Sequence, residues 1–213
     1  MIRTGEQGRG MTLRAALERI RSVALPGESA RVGMLPPYRQ SDEPACTDGW
    51  REAAVLVLLY EAGDAGSVRF PLIRRPGGSG VHAGQMALPG GAREDSETLY
   101  ECALREAAEE TGVDPERIRV VRALSPLRVA PSRFVVTPIV AVCDARPDYL
   151  LSAAEVVALY EPALDELLHP DSTGECVVER PDRCWTVPCY RLAGQIVWGA
   201  TAMMLAELRA MLS

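Results

Sequence analysis

Gly90-Gly91-Ala92-Arg93-Glu94-Asp95-Ser96-Glu97-Thr98-Leu99-Tyr100-Glu101-Cys102-Ala103-Leu104-Arg105-Glu106-Ala107-Ala108-Glu109-Glu110-Thr111-Gly112-Val113 is the most informative stretch of the chain. Thr98 and Glu101 make a capping-box pair: the hydroxyl accepts the backbone N–H of the third helical residue, and the carboxylate reaches back to the cap. Gly112 stands where a left-handed C-terminal cap is expected. These signals bracket a helix over 99–110. At about 100° per residue, Glu106, Glu109 and Glu110 share one face. Tyr100, Ala103, Leu104, Ala107 and Thr111 fall on the side expected to face a core.

Like charges at spacings of three and four repel, each pair costing roughly 0.2–0.5 kcal/mol on an exposed helix. Arg105 lies four residues from both Glu101 and Glu109 and relieves part of this; a divalent cation would relieve the rest. Taken alone, the Glu triplet reads as a solvated acidic face. The double Gly ahead of the helix changes that reading, because it lets backbone carbonyls approach an ion closely. Hard carboxylate and carbonyl oxygens select Mg²⁺ or Mn²⁺ over zinc. Such an ion suits phosphoanhydride chemistry, since it neutralises phosphate oxygens and lowers the pKa of an attacking water.

The rest of the composition narrows the chemistry. The 213 residues suffice for one domain of ordinary size. All 23 basic residues are Arg, and neither Lys nor Asn occurs. No Lys means no Schiff base and no phosphate-loop Lys. His82 and His169 are too few for a multi-His zinc cage. A net charge of −6 argues against general nucleic-acid binding. The six Cys are dispersed, with Cys184 and Cys189 the closest, and no pair has zinc-ligand spacing. The start lacks a signal-peptide pattern, and no apolar run reaches about 20 residues. A cytoplasmic protein with reduced thiols and no membrane partner is expected.

Along the chain, residues 1–10 are Gly-rich and polar. An amphipathic helix is expected over 12–24, then a linker crossing the surface over 26–48, with Pro26, Pro36, Pro37 and Pro44. Strands follow over 53–60 and 68–74 as a hairpin, then a structured Gly- and Pro-rich loop over 76–91. Beyond the carboxylate helix, strands are expected over 118–124, 134–142 and 156–160. A helical turn over 165–168, a polar loop over 170–183, an extended run over 184–192 and a closing helix over 198–212 complete the reading. Trp198 is expected in the core. The fold class is a single α/β domain.

Gly91, Glu97 and Arg105-Glu106-Ala107-x-Glu109-Glu110-x-Gly112-Val113 fall at the fixed positions of the Nudix box, so the chain resembles the Nudix hydrolase superfamily. The resemblance implies an α/β/α sandwich with a mixed β-sheet and hydrolysis of nucleoside diphosphates linked to another group. It implies that Glu106, Glu109 and Glu110 ligate Mg²⁺ or Mn²⁺ with the Gly90 carbonyl. It also implies that Arg105 orients this cluster through Glu97. Which Glu activates the water stays open. Residues 1–49 are then an N-terminal helix and Pro-rich linker, and 50–213 the Nudix domain.

Leu72-Ile73-Arg74-Arg75-Pro76 and Gly84-Gln85-Met86-Ala87-Leu88-Pro89-Gly90-Gly91 are similar to the signature beside the box in coenzyme A diphosphatases. Arg75, Gly84, Pro89, Gly90 and Gly91 agree in register; Ile73, Pro76, Gly80 and Leu88 depart from it. Arg133-Phe134-Val135-Val136-Thr137-Pro138-Ile139-Val140 and Val197-Trp198-Gly199-Ala200-Thr201-Ala202 are also similar to segments of those enzymes. The implied reaction splits coenzyme A or an acyl-CoA into 3′,5′-ADP and (acyl-)4′-phosphopantetheine. Arg75, Arg128 and Arg133 are candidates for phosphate contacts, and His82 and Gly84 lie in the signature loop. The partner is a small molecule, and the reading allows a homodimer.

Two alternatives stand beside this one: a Nudix diphosphatase for ADP-ribose or a dinucleotide, and a non-catalytic nucleotide-binding regulator. Changing Glu109→Gln separates the enzymes from the regulator. Turnover should fall by at least about 10³ while the fold survives; unchanged hydrolysis would mean that the acidic face is merely solvated.

Overall fold

The computed structural model describes residues 10–39, 48–63, 66–78, 82–180 and 183–213. The expectations for residues 1–9, Pro44, Cys46 and Gly80 lie outside them. The run from Ala53 to Tyr60 is buried throughout, as an unbroken apolar stretch in a strand covered on both faces requires. It forms most of β1 (Arg51–Ala62). This strand pairs antiparallel with β2 (Ser67–Arg69) and β5 (Gly90–Ala92). It pairs in parallel with β8 (Phe134–Cys143), which β6 (Ile118–Ala123) and β7 (Leu127–Val129) join antiparallel. The result is a mixed sheet.

Period-two alternation along β1 sends successive side chains into two cores. Ala54, Leu56, Leu58 and Tyr60 pack against Cys102, Ala103 and Ala107 of α3 (Leu99–Thr111). Val55, Val57 and Leu59 enter the larger core on the other face. There they join Ala16 and Ile20 of α1 (Leu13–Ser22) and Met204, Leu205 and Leu208 of α5 (Gly199–Leu212). A single α/β/α sandwich results. No helix among the described residues is long and apolar enough to cross a membrane.

Two small sheets flank the sandwich. One joins β3 (Leu72–Arg74) to β4 (Met86–Ala87) and β9 (Ala158–Tyr160). The other is the meander of β10 (Thr173–Arg180), β11 (Arg183–Leu192) and β12 (Gln195–Trp198). A short α4 (Leu164–Leu168) leads into it.

Several expectations are corrected. The strand expected over 68–74 divides into β2 and β3, which lie in different sheets; between them Pro71 has no N–H to give a ladder. The loop expected over 170–183 is instead β10 and the start of β11, because Cys176 and Val178 pack with Val187 and Cys189 across the hairpin. The loop over 76–91 contains β4 and the start of β5. Tyr100 shares the angular position of the core residues of α3, but in the first turn it is exposed. The stretch expected to cross the surface over 26–48 carries α2 (Glu28–Arg31) and buries Arg31 and Met34.

Arg31 is buried because it has a buried partner. Its guanidinium donates to Glu207 of α5 and to the carbonyls of Ser125 and Pro126. Glu207 also accepts from the Ser125 N–H at 3.1 Å and hydroxyl at 2.6 Å. Arg31→Met leaves Glu207 charged in the core and should cost about 3–5 kcal/mol in urea unfolding. Adding Glu207→Leu should recover most of that loss. A single variant as stable as the parent would show that the pair does not hold this segment.

Candidate active site

The ends of α3 are fixed locally. The Thr98 N–H donates to Glu101 Oε2 at 2.7 Å, and the Glu101 N–H to Thr98 Oγ1 at 3.3 Å. Gly112 adopts φ 71°, and its N–H closes on the Ala108 carbonyl at 2.8 Å. The face of α3 beyond the core meets β5 at its two glycines. Gly90 has φ 151°, and a Cβ there would lie 2.3 Å from the Ala54 carbonyl oxygen. A Cβ on Gly91 would lie 2.3 Å from Glu106 Oε2. The missing Gly91 side chain is the space in which the Glu106 carboxylate sits, and the missing Gly90 side chain lets β5 close on β1.

Glu110, almost fully buried, accepts the Gly90 N–H at 2.8 Å. The Gly90 carbonyl accepts from Arg75 Nη2 at 2.9 Å, and that guanidinium stands 3.6 Å from Glu110 Oε1. Burial pushes the Glu110 carboxyl up to about 7; Arg75 and the Gly90 N–H oppose this, while Glu106 and Glu155 add to it. Burial also raises the Glu106 carboxyl above its ordinary value, against the pull of Arg105.

Arg105 gathers the remaining carboxylates. It clamps Glu97 through Nε at 3.0 Å and Nη2 at 2.7 Å, in the two-pronged geometry a planar guanidinium favours. Its Nη1 donates to Glu106 at 3.0 Å and Glu109 at 3.1 Å, and Nη2 reaches the Ala92 carbonyl at 3.1 Å. The Arg105 hydrogen bonds hold the Glu97 carboxyl down to about 2. Glu109 stays half-exposed.

Two cavities adjoin here. An acidic cleft of about 500 Å³ is lined by Arg75, His82, Gly90, Gly91, Glu106, Glu110 and Glu155, among others. A cavity of about 270 Å³ beside it is walled by Val55, Met86, Leu88, Phe134, Val136, Trp198 and Met204. Arg75, His82, Gly90 and Gly91 border both. The acidic cleft suits a divalent cation: its donors are hard carboxylate and carbonyl oxygens, and the buried carboxyls would ionise more readily beside positive charge. Among the described residues no three His, Cys, Asp or Glu side chains already stand as a cage, and Arg105 draws Glu106 and Glu109 toward itself.

The other residues singled out in the sequence are dispersed. His82 Nδ1 lies 3.2 Å from Gln85 Oε1 at the border of the two cavities. Gly84, at φ 70°, closes the loop by donating its N–H to the Pro76 carbonyl at 2.9 Å. Arg128 lines a different cavity together with Arg39, because alternation along β7 turns Val129 toward the apolar cavity and Arg128 away from it. Arg133 is exposed in a left-handed turn at φ 55°, between Ser132 and Phe134, which border the apolar cavity. Trp198, expected in the core, is half-buried and borders that cavity. Phe134 and Trp198 lie in segments whose sequence had already stood out. Glu155 carried no motif at all, and only the tertiary fold brings it to the cleft.

Comparison with known proteins agrees with this geometry. A family model for the NUDIX domain matches residues 50–185. The uncharacterized Nudix hydrolase NudL of Pectobacterium atrosepticum is 36% identical over 164 residues, covering 76% of this chain and 83% of its own. Its namesake from Escherichia coli O6:H1 is 31% identical over 189 residues, covering 88% and 94%. A MutT/nudix family protein from Enterococcus faecalis has a similar fold, with TM-score 0.51 and 17% identity over 93% of this chain and 73% of that one.

A pH titration tests the Arg105 clamp. A carboxyl held below its ordinary pKa stabilises the fold only while it is ionised. In EDTA at neutral pH, Glu97→Gln should therefore melt below the parent. That gap should close as pH falls from 4.5 toward about 2. A gap that does not change over this range would show that the clamp adds no stability.

Proposed function

The chain belongs to the Nudix family, hydrolases of phosphorus-containing anhydrides, and from that premise we propose that it cleaves the diphosphate of coenzyme A or its thioesters. The products are 3′,5′-ADP and (acyl-)4′-phosphopantetheine. The observation that carries this reading is the shared border of the acidic cleft and the apolar cavity. A diphosphate lies in the cleft, and one arm of the same molecule extends into the cavity against Phe134 and Trp198. The agreement of Arg75, Gly84, Pro89, Gly90 and Gly91 with the coenzyme A diphosphatase signature supports the same substrate.

Glu106, Glu109 and Glu110, with the Gly90 carbonyl, hold Mg²⁺ or Mn²⁺. A divalent ion supplies neutralisation of the phosphate oxygens and a lower pKa for water. Arg105 and Glu97 position Glu106 and Glu109. Arg75, beside both cavities, gives a phosphate a planar pair of donors. His82 and Gly84 shape the loop over the cleft. Arg133 is a candidate for an outer phosphate, and Arg128 could meet one only away from the cleft. The non-catalytic alternative would be expected to lack box carboxylates, and all are intact.

ADP-ribose or a dinucleotide is the second reading, favoured by the departures at Ile73, Pro76, Gly80 and Leu88. Initial rates on coenzyme A, dephospho-coenzyme A, ADP-ribose and NADH, with Mg²⁺ and with Mn²⁺ and with products identified by mass, decide between them. Coenzyme A should be the best substrate and dephospho-coenzyme A poorer; a clear preference for ADP-ribose would overturn the coenzyme A reading.

A further inference from the structure

We propose that the cavity on the far side of the β7–β8 ladder is a second binding site, which takes a small amphipathic oxyanion: a phosphate or carboxylate on a short apolar chain. The cavity measures about 600 Å³. Among the described residues, none that lines it also lines the acidic cleft or the apolar cavity beside that cleft. Arg31, Arg39 and Arg128 stand in its walls against one described carboxylate, Glu28. That balance is the reverse of the chain as a whole, whose net charge is −6.

The pleat and the chain after α2 bring these cations together. Arg128 and Val135 are partners in the β7–β8 ladder and share one face. Val129, Phe134 and Val136 take the other face and line the apolar cavity. On α5 the same division falls between Met203, in this cavity, and Met204, in the other. Arg39 reaches across from the segment after α2: its Nη2 donates to the Arg128 carbonyl, and its Nη1 lies 3.2 Å from Met203 Sδ. Arg31 is almost fully buried and its charge is matched by Glu207. Its Nε still has no hydrogen-bond partner, so one donor of this wall residue is unused. Arg39 and Arg128 then supply the planar donor pairs that an oxyanion accepts.

The remaining walls are apolar. Val32 is 66% exposed, and Leu35, Val135 and Met203 line the cavity with it. A chain lying over Val32 and Leu35 removes that surface from water, while its headgroup meets the guanidinium groups. Met203 is unbranched and polarizable, and it adapts to the shape of such a chain. A bare anion uses only the cations and an uncharged chain only the apolar wall; an amphipathic oxyanion uses both. The inference is independent of which diphosphate the acidic cleft cleaves.

Calorimetry on the full chain in EDTA tests this with hexyl phosphate, hexanoate, inorganic phosphate and hexanol. The better of the two amphiphiles should bind at least about tenfold more tightly than inorganic phosphate or hexanol. Which amphiphile is the better one identifies the headgroup. Arg39→Gln combined with Arg128→Gln should weaken that ligand by at least about tenfold, because two charge-assisted contacts are lost. Glu28→Gln should tighten it, because a like charge is removed; this readout stands even if the double variant does not fold. Arg75→Gln, in the acidic cleft, should leave the affinity unchanged. A ligand lost in Arg75→Gln and kept in the Arg39 and Arg128 variant belongs to the cleft, and that result would overturn the proposal. Equal affinity for hexanol would overturn it too, since the cations would then contribute nothing, and so would the absence of binding by either amphiphile.

Discussion

Glu106 reaches the backbone of β5 only because Gly91 carries no side chain there, and β5 closes on β1 only because Gly90 carries none. A helix normally stands off a sheet by the thickness of the residues between them. Here small core residues on α3, Ala103 and Ala107, bring it down onto β1, and Gly91 extends that close approach to the next strand. Glu110 then accepts the Gly90 N–H with no intervening side chain. Any larger residue at Gly91 would occupy the volume of the Glu106 carboxylate itself.

Close approach creates an electrostatic difficulty that the arginines meet. With no Lys in the chain, each cation at the cleft is a planar guanidinium with several donors in fixed directions. Arg105 uses this to hold Glu97, Glu106, Glu109 and the Ala92 carbonyl at once. Arg75 bridges the Gly90 carbonyl and the neighbourhood of Glu110. A Lys ammonium is a point charge on a flexible stem and could not keep so many acceptors in a defined arrangement. The acidity of the chain is therefore organised at the cleft as well as spread over the surface.

Features written in neighbouring residues could be read from the sequence, and features that depend on distant contacts could not. The span of α3 follows from Thr98, Glu101 and Gly112, whose hydrogen bonds stay within one turn. The two-sided burial of β1 follows from its unbroken apolar run. By contrast, β10 presents Glu175, Val177 and Glu179 on one face, so it reads as a polar loop until β11 is placed beside it. Arg128 could be given to the cleft in sequence because only the pleat of β7 decides which side it takes. Glu155 had no local signal, since backbone bonds to α3 and β3 are what bring it to the cleft.

The grip of the first helix on the last has a consequence for how the chain folds. Arg19 of α1 bonds the carbonyls of Leu212 and Ser213, across sequence separations of 193 and 194 residues. Arg31 reaches Glu207 across 176. Contacts this distant add to contact order and slow folding. During synthesis α1 is made early and can form its own turns, yet the surface that covers Ala16 and Ile20 includes α5, which is made far later. α1 therefore leaves the ribosome well before α5 and waits with part of its apolar stripe uncovered, in the interval when nascent chains are most prone to aggregate.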